Sequence, residues 1–345
     1  MWFELSLKLV FCFKLIVTAS LLTGCSNYKN SKESDSNILI HEQKETVSIS
    51  DDELLNELQK QTIAYFWEGS HPKSGMARER IHLDDLSYDE DVITTGGSGF
   101  GLMAIIVGVE RGFIKKDKAV LHFNKIVSFL ETADRYHGVW PHWLNGNTGK
   151  TKAFSSKDNG GDLVETAFLI QGLLTVKAYL DEKILTQKKL GDRIQKLWEE
   201  VEWSWYTKNG EKVLYWHWSQ EFNWEMNFPV KGYNEALIMY VLAASSPSYP
   251  INKDVYEIGW ADNGNISNGS VFYNLDTELN HYGTNNSSVG PLFWAHYSFL
   301  GLNPSKLEDK YGDYWKLNKN HALIHYKYCT KNPLNHKGYS DSIWG

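Results

Sequence analysis

Residues 154–174 read FSSKDNGGDLVETAFLIQGLL. The stretch carries three carboxylates, Asp158, Asp162 and Glu165, across a glycine-rich turn and into the start of an apolar run. Residues three apart share a helix face, so a helix that begins near Asp162 points Asp162 and Glu165 the same way. Asp158 precedes Gly160 and Gly161, where the backbone has the freedom to fold it back toward the other two. Three acids converging at a helix N-terminus can carry out proton transfer. The same spacing also fits a capping box, in which Asp162 and Glu165 serve only backbone donors. The stretch alone leaves both readings open.

Outward from it, the chain reads as helix after helix. Residues 51–67 are periodic, with Ser50 or Asp51 as cap. A loop follows with acids at Asp84, Asp85, Asp89, Glu90 and Asp91; its spacing is too irregular for a calcium loop. Residues 99–111 predict an apolar helix, and 115–136 and 185–203 predict amphipathic ones. Between them, HGVWPHWLNGNTGK (137–150) is a loop carrying Trp140, His142 and Trp143. Residues 203–229 hold Trp203, Trp205, Trp216, Trp218 and Trp224, and VLYWHW within them alternates like a strand of a hairpin. GYNEALIMYVLAA (232–244) predicts an almost wholly apolar helix with one acid, Glu235, near its start. A carboxylate there is costly unless it is paired, set against the helix dipole, or put to use. A short helix over 291–300 and one over 307–329, broken near Gly312, complete about eight helices. No fixed-period repeat is visible. The fold class is all-α with minor β.

With 42% hydrophobic and 22% charged residues in 345, the chain is globular. Net charge of -7 and the lack of a basic stripe exclude nucleic acid as a partner. The aromatic content, 14 Trp, 19 Tyr and 15 Phe, suits a sugar cleft, where ring faces take C–H surfaces and polar groups take hydroxyls. Residues 1–24 read as a secretory leader, with an apolar run over 16–22 too short to span a bilayer. The run ends in Leu22-Thr23-Gly24-Cys25, which resembles a bacterial lipobox, so Cys25 is the expected lipidation site. Residues 25–50 are a polar tether, and 51–345 a single domain. These features imply a bacterial envelope protein, anchored to membrane through Cys25. Cys12 falls in the leader and Cys329 stands alone, so no intrachain disulfide is expected.

His-Glu-x-x-His, paired cysteines, phosphate-binding glycine loops and the Gly-x-Ser-x-Gly elbow are all missing. Scattered loop histidines such as His137, His142, His217 and His281 fit ligand hydrogen bonding better than metal binding, so neither metal nor cofactor is expected. Carboxylates and aromatics remain, the equipment of glycosidic bond cleavage. The candidate catalytic acids are Asp158, Asp162, Glu165 and Glu235. The candidate substrate-binding residues are His142, Trp143, Trp218, Trp224 and Tyr273.

Four segments carry a family resemblance: GSGFGL ending at Leu102, Asp158…Asp162…Glu165-Thr166-Ala167, Gly232-Tyr233-Asn234-Glu235-Ala236, and GPLFWAHYSFLG (290–301). Together they resemble the glucoamylase-like domain of bacterial lipoproteins, and most nearly glycoside hydrolase family 144, the endo-β-1,2-glucanases. The likeness runs from about Asp51 to the C-terminus. It implies an (α/α)6 barrel with a cleft at one end and hydrolysis of β-1,2-glucan with inversion. By position it carries the family's acids onto Asp158, Asp162, Glu165 and Glu235. The sequence ends at GYSDSIWG, where the family continues, which implies a barrel short of its last helices. Catalysis on another glucan linkage, and glycan binding without catalysis, are the alternatives.

Overall fold

The computed structural model describes residues 49–284 and 287–344. The leader, Cys25 and the tether up to residue 48 lie outside the described residues. The chain divides into two compact units, Ser50–Ile324 and a second that includes 325–344. Seven α-helices are present among the described residues: α1 (Asp51–Trp67), α2 (Thr95–Glu110), α3 (Lys116–Leu130), α4 (Leu163–Tyr179), α5 (Leu185–Glu199), α6 (Leu237–Ser245) and α7 (Tyr314–Lys331). None is long and apolar enough to cross a membrane. Ser50 caps α1 in a complete capping box with Glu53.

Helix composition sorts the first six into two layers. α2, α4 and α6 are apolar nearly all round and bury most of their residues. α3 and α5 each bury one stripe, Phe123, Ile126, Val127 and Leu130 on α3 and Leu190, Ile194 and Leu197 on α5. A helix apolar on every side belongs inside, and one with a single apolar stripe covers it. Accordingly α4 packs against both α2 and α6, while α1 and α3 lie on α2, and α5 on α3 and α4. This inside–outside pairing is the helix-rich, α/α-type arrangement. The described residues do not close it into the expected six-pair barrel.

The seam between α2 and α4 is set by glycine. A Cβ on Gly99 would stand 2.0 Å from the Phe168 carbonyl oxygen, and one on Gly172 would stand 2.2 Å from the Gly99 oxygen. Both contacts are with backbone, so neither can be relieved by a rotamer. Gly99→Ala is expected to lower stability by about 3 kcal/mol or more, read as a lower denaturation midpoint; an unchanged midpoint would mean the seam is looser than drawn.

Nine short strands are present among the described residues. β1 (Val92–Thr94), β2 (Trp143–Asn145) and β3 (Thr151–Lys152) form an antiparallel sheet. β4 (Gly161–Asp162) pairs with β6 (His217–Trp218), and β5 (Leu214–Tyr215) with β7 (Pro229–Val230). β8 (Val271–Phe272) and β9 (Leu275–Asp276) make a hairpin. VLYWHW is therefore not half of one hairpin. Its two ends pair with different partners, and Trp216 between them turns from one sheet to the other.

Several element boundaries differ from expectation. α2 begins at Thr95 and not at 99, and two of its first glycines, Gly96 and Gly99, allow close approach of α4. The segment over 291–300 forms two 3-10 turns, Leu292–Ala295 and Ser298–Leu300, in place of one helix. Residues 203–207 leave α5 as a separate 3-10 turn. α6 starts at Leu237, so Glu235 sits in the preceding turn and not on the helix.

Candidate active site

The acids gather where α4 begins. The backbone of Asp162 is held from both sides: its N–H donates to the Trp140 carbonyl at 2.9 Å, and the next N–H, of Leu163, donates to Trp216 at 2.8 Å. Asp162 is fully buried. Its Oδ1 accepts the Glu165 N–H at 2.9 Å, which makes it the N-cap of α4. Its Oδ2 accepts the Trp216 indole N–H at 2.9 Å and lies 2.9 Å from His142 Nδ1.

Only half of the capping box exists. The Glu165 side chain does not reach back to the Asp162 N–H; its Oε2 instead accepts the Gly96 N–H of α2 at 2.9 Å. A Cβ on residue 96 would stand 2.4 Å from that oxygen, so only glycine admits Glu165 there. Capping therefore explains Asp162 and leaves Glu165 facing the other acids.

Asp158 is buried beside His217, with Oδ1 3.4 Å from Nε2. His217 Nε2 already accepts the Gly160 N–H at 3.1 Å. Burial pushes the His217 ring toward its neutral form, so the contact is not an ion pair and Asp158 Oδ1 has no hydrogen-bond partner. Glu235 is the fourth member. Burial raises its pKa, and its charge in turn acts on Glu165. Tyr297 feels both Glu165 and Glu235 after burial has raised its hydroxyl pKa. It stacks obliquely on Phe100 at 4.7 Å and meets Phe168 edge-on at 5.5 Å, which places 290–301 over the α2–α4 seam.

Four acids in one buried neighbourhood cannot all ionise at ordinary pH. Burial, then the Asp162 charge, pushes Asp158 up to about 6. Burial and the same charge push Glu165 up to about 7. Burial opposes a charge on His142, but the Asp162 bond and the charges of Asp162, Glu165 and Asp158 outweigh it and raise the imidazole to about 9. The site at neutral pH thus holds an imidazolium, fixed by a buried carboxylate, beside a Glu165 that still carries its proton part of the time and an Asp158 that has mostly lost its own. His142, Asp158 and Asp162 offer donor atoms within 4.8 Å of one another, as a cation site would. The proton held between His142 and Asp162 competes with that use.

The predicted sugar platforms distribute unevenly. His142 stacks on Phe154 at 4.1 Å, and Trp143 meets Phe154 edge-on at 4.9 Å, so both belong to the wall beside the acids. Trp218 follows His217 on β6 and pairs with Gly161. Trp224 packs among Trp205, Tyr206 and Tyr215, away from Asp162's own contacts. Tyr273 stands in the turn of the β8–β9 hairpin with φ of 55°. Trp216, Tyr297 and Gly96 were missed by sequence reasoning. Trp216 is one of five tryptophans in its segment, and only the pairing of β6 with β4 singles it out.

Comparison with known proteins identifies relatives of this chain. Residues 227–345 match the Glycoamylase family model, described as "Putative glucoamylase". An endo-β-1,2-glucanase from Chitinophaga pinensis, solved with sophorotriose and glucose, is 53% identical with a TM-score of 0.84; the match covers 86% of this chain and 71% of that one. A β-1,2-glucanase structure from Parabacteroides distasonis is 42% identical, TM-score 0.79, over 86% of this chain and 44% of that one. An exo β-1,2-glucooligosaccharide sophorohydrolase from the same organism is 44% identical over 317 residues, 87% of this chain. This chain spans only 43% of that relative's length. The class is a glucoamylase-like, helix-rich glycoside hydrolase fold. The chain belongs to the glucoamylase-like family that includes the β-1,2-glucanases.

Proposed function

We propose that this protein hydrolyses β-1,2-glucan or its oligosaccharides, with Glu165 and Glu235 as the acid–base pair. The observation that carries the reading is the convergence of four acids at one buried locus, with Glu165 raised to about 7. Glu165 protonates the leaving oxygen and Glu235 activates water, the division of labour of an inverting glycosidase. Asp162 has both oxygens committed and does not touch sugar; it holds His142 charged, and His142 binds a substrate oxygen. Asp158 orders the attacking water. Trp143 flanks the same wall, Trp218 stands beside Gly161, and Trp224 and Tyr273 take sugar units farther from the acids. The full (α/α)6 toroid is the architecture in which these pairs of inner and outer helices fit.

The test is incubation with β-1,2-, β-1,3- and α-1,4-glucans, with products read by chromatography. Short β-1,2-linked products are expected, and products of mixed length distinguish endo from exo release. Rate should fall as pH rises through about 7, as the Glu165 carboxyl loses its proton. Release from the α-1,4- or β-1,3-glucan alone refutes the linkage, and release from none refutes catalysis and leaves glycan binding.

We further propose an envelope location with a lipid on Cys25, supported by Leu22-Thr23-Gly24-Cys25 directly after an apolar run. Incorporation of labelled palmitate, lost in Cys25→Ala, tests it.

A further inference from the structure

A concavity lies apart from the acids. A cavity of about 540 Å³ is lined by Arg135, His137, Glu200, Glu202 and Tyr249 among others. A smaller one of about 250 Å³ adjoins it, sharing Glu202 and Tyr249 and adding Trp205. None of the four acids lines either. Trp205 and Tyr249 are 38% and 39% exposed, so each keeps part of its ring open to solvent at the edge of these cavities. His137 stacks on Trp205 at 3.7 Å and its Nδ1 lies 2.9 Å from Glu202, so the Trp205 ring and the Glu202 carboxylate are fixed relative to each other. His137 does this from a left-handed backbone, φ 54°, followed by Gly138, where a Cβ would stand 1.9 Å from the Glu200 oxygen. Arg135 binds Glu200 through Nη2 at 2.8 Å, which holds both side chains at the edge of the cavity.

Preset rings edged by carboxylates and a guanidinium match the surface of a pyranose, which has apolar faces and a rim of vicinal hydroxyls. We propose that this groove is a second oligosaccharide-binding site, which holds a glucan chain away from the acids. Trp205 meets Trp218 edge-on at 6.1 Å, and Trp218 is paired to Gly161 beside Asp162, so one aromatic seam joins the groove to the catalytic strand pair. The identity of the ligand as β-glucan rests on the function proposed above; the site itself does not.

The experiment is calorimetric titration of the Glu165→Gln protein with β-1,2-gluco-oligosaccharides, with and without Tyr249→Ala. Two sites are expected. Tyr249→Ala removes one of them or weakens it about tenfold, the size of one lost aromatic contact, while Tyr249→Phe retains it. Tyr249→Ala alone leaves hydrolysis of short oligosaccharides unchanged and slows that of long chains. A stoichiometry of one that Tyr249→Ala does not alter, or no binding at all, overturns the second site. Tyr249-dependent binding by a protein that releases no sugar from any glucan sinks the catalytic reading alone.

Discussion

Glu165→Gln is expected to slow hydrolysis of β-1,2-gluco-oligosaccharides by about 10²–10⁴-fold, the contribution of a positioned general acid. The amide is nearly isosteric, and its oxygen can still accept the Gly96 N–H that now holds Glu165 at 2.9 Å. The fold and KM should therefore change little, and the loss should fall on kcat. A substrate with an acidic aryl leaving group needs no proton from the enzyme, so it should recover most of the rate in Glu165→Gln. It should not recover in Glu235→Gln, where activation of water is what fails. The pH profile supplies an independent readout. Burial and the Asp162 charge raise Glu165 to about 7, so the alkaline limb of the unaltered protein belongs to this group and should vanish from the variant. Near-normal turnover in Glu165→Gln would remove it from the chemistry. Rescue in the Glu235 variant instead would exchange the two roles.

The sequence made the acids legible and much of what fixes them illegible. Asp158, Asp162 and Glu165 share 21 residues, and a helix period alone brings two of them together. The layering was also there in outline: α4 is apolar on all sides and α5 on one, which is what separates an inner from an outer helix. What could not be read depends on partners distant in sequence. Whether Asp162 and Glu165 close a capping box was settled by Gly96, 69 positions from Glu165. VLYWHW alternates as a strand should, but alternation does not say that its two halves pair with 161–162 and 229–230. The apolar run over 232–244 looks uniformly helical; yet Asn234 turns its side chain to the Ala236 N–H, and Ser298 Oγ accepts the Ile238 N–H. Those bonds accompany a helix start past Glu235, whose charge acts on Glu165. Segment 290–301 resembled a helix because its apolar spacing is helical. Its two short turns instead lay Phe293 and Tyr297 together at 5.0 Å over the seam.

Asp162 is the residue whose loss should harm the molecule most. Asp162→Ala removes the cap of α4 and leaves the Trp216 indole N–H and a largely buried imidazolium without their acceptor. Loss of an N-cap costs about 1 kcal/mol and breaking a buried ion pair about 3–5 kcal/mol, a large share of a total stability on the order of 5–15 kcal/mol. Asp162→Asn separates the two effects. Its oxygen can still cap Glu165, but it brings no charge to His142. The pH dependence then has a fixed sign. His142 is raised in the folded state from 6.5 to about 9, so its contribution is fully present below pH 6.5 and is lost as pH rises through about 9. The stability gap between the unaltered protein and Asp162→Asn should be widest near pH 6 and shrink by pH 10. Asp158 and Glu165 push the same way, since both are raised by the Asp162 charge, and removing it spares them repulsion only once they ionise. Denaturant midpoints measured across that range decide the matter. A gap that stays constant from pH 6 to pH 10 would mean Asp162 acts through its cap alone, and the imidazolium would no longer have a carboxylate to account for it.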